Sequence, residues 1–179
     1  MHSDSYNNME TLFFEKTGSI KREKAELEKE LGVKITIQGR KITLEGNPMD
    51  EYEAGIILDA ISFGFKVKIA LTLLDEDKIF RKLPMKNFTR RKNLKEVRAR
   101  VIGTEGKTRR TIENIASCDV VINDNTVGVI GSAESIENAT TALSNLIKGS
   151  KQANVYRFLE RMNAQKITGD LGLKKQDKK

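Results

Sequence analysis

Gly103 and Gly106 frame the two-residue gap Thr104-Glu105 in a run of basic residues. Arg98 and Arg100 precede the pair, and Lys107, Arg109 and Arg110 follow it. Glycine reaches backbone conformations that other residues avoid and lets a ligand approach the main chain closely. A Gly-x-x-Gly turn that opens a helix presents free N–H groups and a favourable dipole to an anion. The chemistry this spacing suits is therefore phosphate binding. Two glycines three apart also occur by coincidence, so the reading depends on the elements that hold the turn.

Other chemistries have little to work with. The single histidine is His2 and the single cysteine is Cys118. An intrachain disulfide or a cysteine-based metal site is therefore impossible, and Ser/His or Cys/His catalysis is not expected. Asp75-Glu76-Asp77 is the one compact acidic cluster, and it reads as a turn. We assign no catalytic residue, no metal ligand and no cofactor. The apolar runs are far shorter than the roughly 20 residues of a membrane span, and no secretory signal is visible. A lone cysteine agrees with a reducing cytoplasm. The expectation is a cytoplasmic, non-membrane, monomeric protein.

The 179 residues suffice for one domain or two small ones. The net charge of +7 is unevenly spread. Residues 81–110 carry 12 Lys and Arg against two acids, whereas residues 1–80 carry 11 against 15. Residues 111–146 have no Lys or Arg, and the C-terminal stretch is basic again. Such a block is either a solvated face or a surface for a polyanion, and the enclosed Gly-x-x-Gly turn favours the second.

A shift of 85 positions lays the chain on itself. Ile35, Ile37, Ile42, Leu44 and Gly46 fall on Val120, Ile122, Val127, Val129 and Gly131. Leu27 falls on Ile112, Ala54 on Ala139, Leu58 on Leu143 and Gly18 on Gly103. The match predicts two copies of one supersecondary unit.

In the first copy the pattern predicts a strand over 9–14 and a turn at 16–19. A helix over 20–31 follows, capped by Ser19 and ended by Gly32. Period-two strands are expected over 34–37 and 41–45. Asn47-Pro48 opens a helix to about Ser62. Residues 65–74 read as a connecting helix. The second copy is expected to run as a strand over 78–83, a basic loop, and a helix over 94–101 capped by Asn93. The Gly-x-x-Gly turn, a helix over 107–116, strands over 119–122 and 126–130 and a helix to Lys148 complete it, with Ser132 or Ser135 at the last cap. Another helix is expected over 155–165. The ends, 1–8 and 174–179, read as disordered.

Strand, helix, Gly-x-x-Gly, helix, strand, strand, helix is an order that resembles a type I KH domain. Ile102-Gly103-Thr104-Glu105-Gly106-Lys107-Thr108-Arg109-Arg110-Thr111-Ile112-Glu113-Asn114, with Val129-Ile130-Gly131, is similar to archaeal KH-domain proteins of small-subunit ribosome assembly. These are counterparts of the eukaryotic "partner of Nob" family. The resemblance implies an α+β fold of two tandem type I KH domains, each a three-stranded sheet packed on helices, the first degenerate. The expected boundaries are 9–64 for the degenerate copy, 65–76 for the connector, 77–149 for the KH domain with the loop, and 150–179 for a C-terminal helix and basic tail. In copy one Lys21 replaces the second glycine, so that copy is expected to scaffold or to bind protein.

The implied function is a non-catalytic, single-stranded RNA-binding assembly factor of the small ribosomal subunit, acting in 3′-end processing of 16S-type rRNA. Implied partners are the 3′ region of that RNA, a Nob-type endonuclease and the α subunit of translation initiation factor two. Gly103, Thr104, Glu105 and Gly106 would approach about four nucleotides of backbone, with Glu105 turned away. Lys107, Arg109, Arg110, Arg98 and Arg100 would neutralise phosphates. Ile102, Val121, Ile122 and Ile112 are floor residues or core, and Val121 and Asn123 sit where base edges could be read. Two other readings stay open: an adaptor docking a nuclease or an initiation factor, and a subunit of an RNA-degrading complex.

Overall fold

The computed structural model describes residues 10–170, with side chains described to residue 164. The disorder expected over 1–8 and the basic tail over 174–179 lie outside the described residues. The described chain forms two compact units, the first ending at Phe80 and the second beginning at Arg81.

The first unit runs β1 (Glu10–Phe13), α1 (Gly18–Arg22), α2 (Lys24–Leu31), β2 (Lys34–Gln38), β3 (Lys41–Glu45), α3 (Pro48–Phe63) and α4 (Val67–Ala70). The strands form an antiparallel sheet in the order β1-β3-β2. Alternation in β2 and β3 puts Ile35 opposite Leu44 and buries both, as the period of two requires. Gly39, at φ +64°, turns the hairpin. Asn47 caps α3 by accepting from the Met49 N–H, and Pro48 fills its first turn. The buried carboxylate of Glu51 accepts from the Gly46 N–H at 2.8 Å. Ile20, Leu27, Ile42 and Leu58 fill the core between helices and sheet.

The second unit runs β4 (Lys78–Pro84, its first residues shared with the first unit), α5 (Leu94–Ile102), α6 (Lys107–Ala116), β5 (Asp119–Asn123), β6 (Thr126–Ser132), α7 (Ala133–Lys148) and α8 (Gln152–Asp170). Its sheet has the order β4-β6-β5. Asn93 and Ser132 cap α5 and α7. α8 packs along both α6 and α7, burying Val155 and Leu159, and extends five residues past the expected end.

The 85-residue offset reaches finer detail than the apolar pattern. Glu28 accepts from the Ile35 N–H at 2.8 Å, and Glu113 accepts from the Val120 N–H at 2.9 Å. Lys24 pairs with Glu28, and Arg109 pairs with Glu113. A Cβ on Gly46 would crowd Val33, and one on Gly131 would crowd Cys118. Left-handed residues recur at Gly32 and Ser117, at Gly39 and Asp124, and at Gly64 and Gly149.

Two expectations need correction. The helix read over 20–31 is broken at Glu23 (φ −107°, ψ 20°), and Thr17, not Ser19, stands at its N-cap. Thr17 Oγ1 donates to the Gly39 carbonyl instead of capping the helix, and Ile20 is drawn fully into the core. The connector read over 65–74 is one α-helical turn, α4, followed by a 3-10 turn over Leu71–Leu74, and it belongs to the first unit.

Candidate nucleic-acid interface

The Gly-x-x-Gly turn joins α5 to α6. Gly103 ends α5 at φ 73°, ψ 173° and donates its N–H to the Ala99 carbonyl at 2.8 Å. A Cβ there would strike Thr108 Oγ1 and lie 2.7 Å from Thr108 Cβ and 2.8 Å from its backbone N. Gly103 is thus required twice, by its dihedrals and by contact with the first turn of α6. A Cβ on Gly106 (φ 75°) would make only an ordinary contact, 3.9 Å from Arg110 Nη1. Its glycine serves conformation and leaves the main chain accessible.

Thr104 and Glu105 are exposed between them. Glu105 is itself left-handed, at φ 50°, which costs a non-glycine residue about 1 kcal/mol. Arg110 holds it there: its Nη2 donates to the Glu105 carbonyl at 2.7 Å. Gly106 is the N-cap of α6, and no side chain caps that helix. The positive dipole end of α6 therefore faces the loop, with the Lys107 N–H donating to the Thr104 carbonyl.

The other basic residues separate by task. Lys107 is exposed beside the loop. Arg98 Nη1 donates to the Asp124 carbonyl at 3.4 Å, tying α5 to the β5–β6 turn. Arg109 donates to the Val120 carbonyl and pairs with Glu113, so it is spread along β5. The Arg100 guanidinium lies with that of Arg91 at Gly149, the C-terminal end of α7, where cations are favoured by the helix dipole.

Among the apolar candidates, Ile112 is fully buried and is core, not floor. Ile122 is half-buried against that core. Ile102 and Val121 are half-buried, and Val121 faces Gly128 across the sheet. Asn123 is half-buried at the end of β5, opposite Thr126. The sequence reading missed Thr108 and Gln152. Thr108 is 2% exposed and accepts a 2.8 Å hydrogen bond from Gln152 Nε2. An uncharged residue inside Lys107-Thr108-Arg109-Arg110 was the available hint for Thr108. Gln152 had none.

No group of three or more His, Cys, Asp or Glu among the described residues could hold a metal ion. No helix among them is long and apolar enough to cross a membrane.

A family model described as a eukaryotic-type KH domain (KH-domain type I), drawn from the second KH domain of PNO1, matches residues 80–164. KH domain-containing protein MJ0443 of Methanocaldococcus jannaschii is 34% identical over 153 residues, covering 82% of this chain and 66% of its own length. The chain spans 44–56% of the eukaryotic PNO1 proteins it matches. The crystal structure of Dim2p from Pyrococcus horikoshii superposes with a TM-score of 0.78 at 31% identity, over 86% of this chain and 99% of that one. A structure of an a/eIF2alpha–aDim2p–rRNA complex from the same organism has a chain matching at TM-score 0.81 and 29% identity, over 90% of this chain and 97% of that one.

Proposed function

This chain belongs to the KH-domain family of PNO1 and archaeal Dim2p, and from that premise we propose that it binds single-stranded RNA through Gly103–Gly106 as a non-catalytic assembly factor of the small ribosomal subunit. The observation that carries the reading is the loop itself. Gly103 is wedged on Thr108, Thr104 and Glu105 are exposed, and the start of α6, which no side chain caps, stands behind them. A KH loop of this kind holds about four nucleotides by their backbone. Lys107 supplies an exposed counter-charge, while Arg110 shapes the loop and adds positive potential.

The RNA proposed is the 3′ region of small-subunit rRNA, bound during maturation of that end. The Pyrococcus complex holds a related chain with rRNA and an initiation-factor α subunit. We take both as partners here, with a Nob-type nuclease as the enzyme served, in the cytoplasm and as a monomer. The first unit is proposed to be a divergent type I KH copy. The paired glutamates and matched left-handed positions described above support this. It lacks a working loop, because Ile20 is buried and Lys21 stands in place of Gly106.

The test is fluorescence anisotropy with a single-stranded oligonucleotide of the rRNA 3′ end. Replacing Thr104→Asp together with Lys107→Glu should weaken binding at least about tenfold with unchanged thermal stability, since both residues are exposed. About three phosphate contacts should give log K a slope near −2 against log salt. An unchanged Kd in the double variant would overturn the loop assignment.

A further inference from the structure

The two units share one helix ending and dress it differently. Gly149 and Ser150 donate their N–H groups to the Asn145 carbonyl, at 3.1 and 3.0 Å, where α7 ends. Eighty-five residues earlier Gly64 and Phe65 donate to the Ala60 carbonyl, at 3.2 and 3.1 Å, where α3 ends. In the first unit aromatic rings close this corner. Phe63 and Phe65 stack with centroids 6.3 Å apart, and both meet Phe80 edge-on. In the second unit Lys148 and Ser150 stand in the places of Phe63 and Phe65, and both are exposed. Arginines line the corner there instead.

Arg100 Nη1 and Arg91 Nη2 come within 3.1 and 3.4 Å of one point, the position a Cβ on Gly149 would take. Two guanidiniums held so close repel. Little in the chain offsets this beyond the dipole of α7. Among the described residues Arg100 makes no hydrogen bond and no ion pair. Arg91 meets one carboxylate, Glu96 Oε1, at 3.9 Å, and both of those side chains are largely exposed. Glu96 is the one acid in residues 81–104, and residues 138–159 have none. Lys148 and Lys151 add their charge on either side of Gly149. Arg91 is also held in place, since its N–H donates to Thr89 Oγ1 at 3.2 Å and Asn93 caps α5 just beyond it. The corner is thus a cationic site whose guanidinium donors are largely unused. It adjoins the loop twice over. Arg100 lies three residues before Gly103, and Gly149 lies three residues before Gln152, whose amide holds Thr108.

We propose that the Arg91–Arg100 corner is a second phosphate site, which takes the backbone of an RNA strand where it leaves the four or so nucleotides held at Gly103–Gly106. Planar guanidiniums grip a phosphate through paired N–H groups. A phosphate here would use those donors and cancel the repulsion between the two arginines. The strand already on the loop is the occupant, because α5 runs from Arg100 straight into Gly103. A contact to backbone alone lengthens the bound segment without adding base preference. The inference rests on reading the second unit as the RNA-binding one.

Fluorescence anisotropy of the full chain with two single strands from the rRNA 3′ end tests it, one of four nucleotides and one of about twelve. Arg91→Gln/Arg100→Gln should weaken the longer strand at least about fivefold. Its salt slope should become shallower by about 0.7, the share of one phosphate on a single strand. The tetranucleotide should bind this variant within about twofold of the unsubstituted chain. Arg91→Lys/Arg100→Lys should restore the slope, because the charge returns. Lys21→Gln/Lys29→Gln removes as much charge from exposed positions of the first unit and should leave both strands unchanged. Thr104→Asp/Lys107→Glu should weaken both strands, so failure of the loop is read from the tetranucleotide and failure of the corner from the longer strand. An unchanged longer strand in Arg91→Gln/Arg100→Gln would overturn the proposal. So would an equal loss for the two strands, an equal loss in the first-unit variant, or a slope that lysine does not restore.

Discussion

Gln152 Nε2 donates a 2.8 Å hydrogen bond to Thr108 Oγ1, joining the first residue of α8 to the second residue of α6 across 44 positions. Thr108 is also the residue on which Gly103 rests. The C-terminal helix is therefore linked to the Gly-x-x-Gly loop through one buried hydroxyl. Glu23 occupies the equivalent position in the first unit, and there the helix is broken and Gly18 has open space around it.

Thr108→Val and Gln152→Ala should each lower stability by about 0.5–1.5 kcal/mol, the usual net value of such a bond. The double variant should cost little more than the worse single one, because both remove the same interaction. Urea denaturation of all four proteins measures this. Fully additive losses would mean that the two residues act separately.

The two loop glycines should respond unequally to alanine. Gly103→Ala forces a Cβ against the side chain and backbone of Thr108, which no rotamer change relieves. A loss of about 3 kcal/mol or more is expected, as for overpacking combined with a left-handed dihedral. Gly106→Ala meets only the dihedral cost, about 1 kcal/mol. Equal losses in calorimetry would contradict the packing described for Gly103.

Ser117 ends α6 at φ 53°, where its counterpart Gly32 ends α2 at φ 65°. Glycine is favoured at such a helix end. Ser117→Gly should therefore stabilise the second unit by up to about 1 kcal/mol and raise its Tm by a few degrees. An unchanged or lower Tm would count against strain at this residue.

Burial pushes the Cys118 thiol up from 9.0 to about 12, with Glu113 and Asp119 adding to the effect. The folded chain keeps this proton while the unfolded chain loses it near its ordinary value. The stabilisation is complete below about pH 9 and is lost as pH rises toward 12. Cys118→Ala should flatten this alkaline decline. In the unsubstituted protein, iodoacetamide at pH 8 should label the thiol only in denaturant. Rapid labelling without denaturant would show an accessible thiolate.

Much of the element order was legible because it is written locally. Asn47-Pro48, Asn93 and Ser132 mark helix starts through their own side chains, and Ile35, Ile42 and Leu44 mark strand faces by alternation. The two glycines of the loop carry their dihedral preference wherever they stand. The break at Glu23 was hidden because Lys24 to Leu31 and the residues before it are all good helix formers. The burial of Ile20 and the bond from Thr17 to the Gly39 carbonyl override that propensity from a distance.

The roles of the basic residues were not legible for the same reason. Arg98, Arg100, Lys107, Arg109 and Arg110 are equivalent as charges along the chain. Only the folded backbone decides which carbonyl or helix end each one meets. It sends Arg110 to Glu105, Arg98 to Asp124 and Arg100 to Gly149, and leaves Lys107 exposed.

By itself the sequence determined the loop, its glycines, the concentration of charge around it and the 85-residue echo, since composition and spacing suffice for these. The tertiary structure alone decided that Gly103 leans on Thr108, that Gln152 secures Thr108, and that Arg91 and Arg100 meet at Gly149. Each of these depends on contacts between residues far apart in the chain, and such contacts form only when close packing brings their elements together.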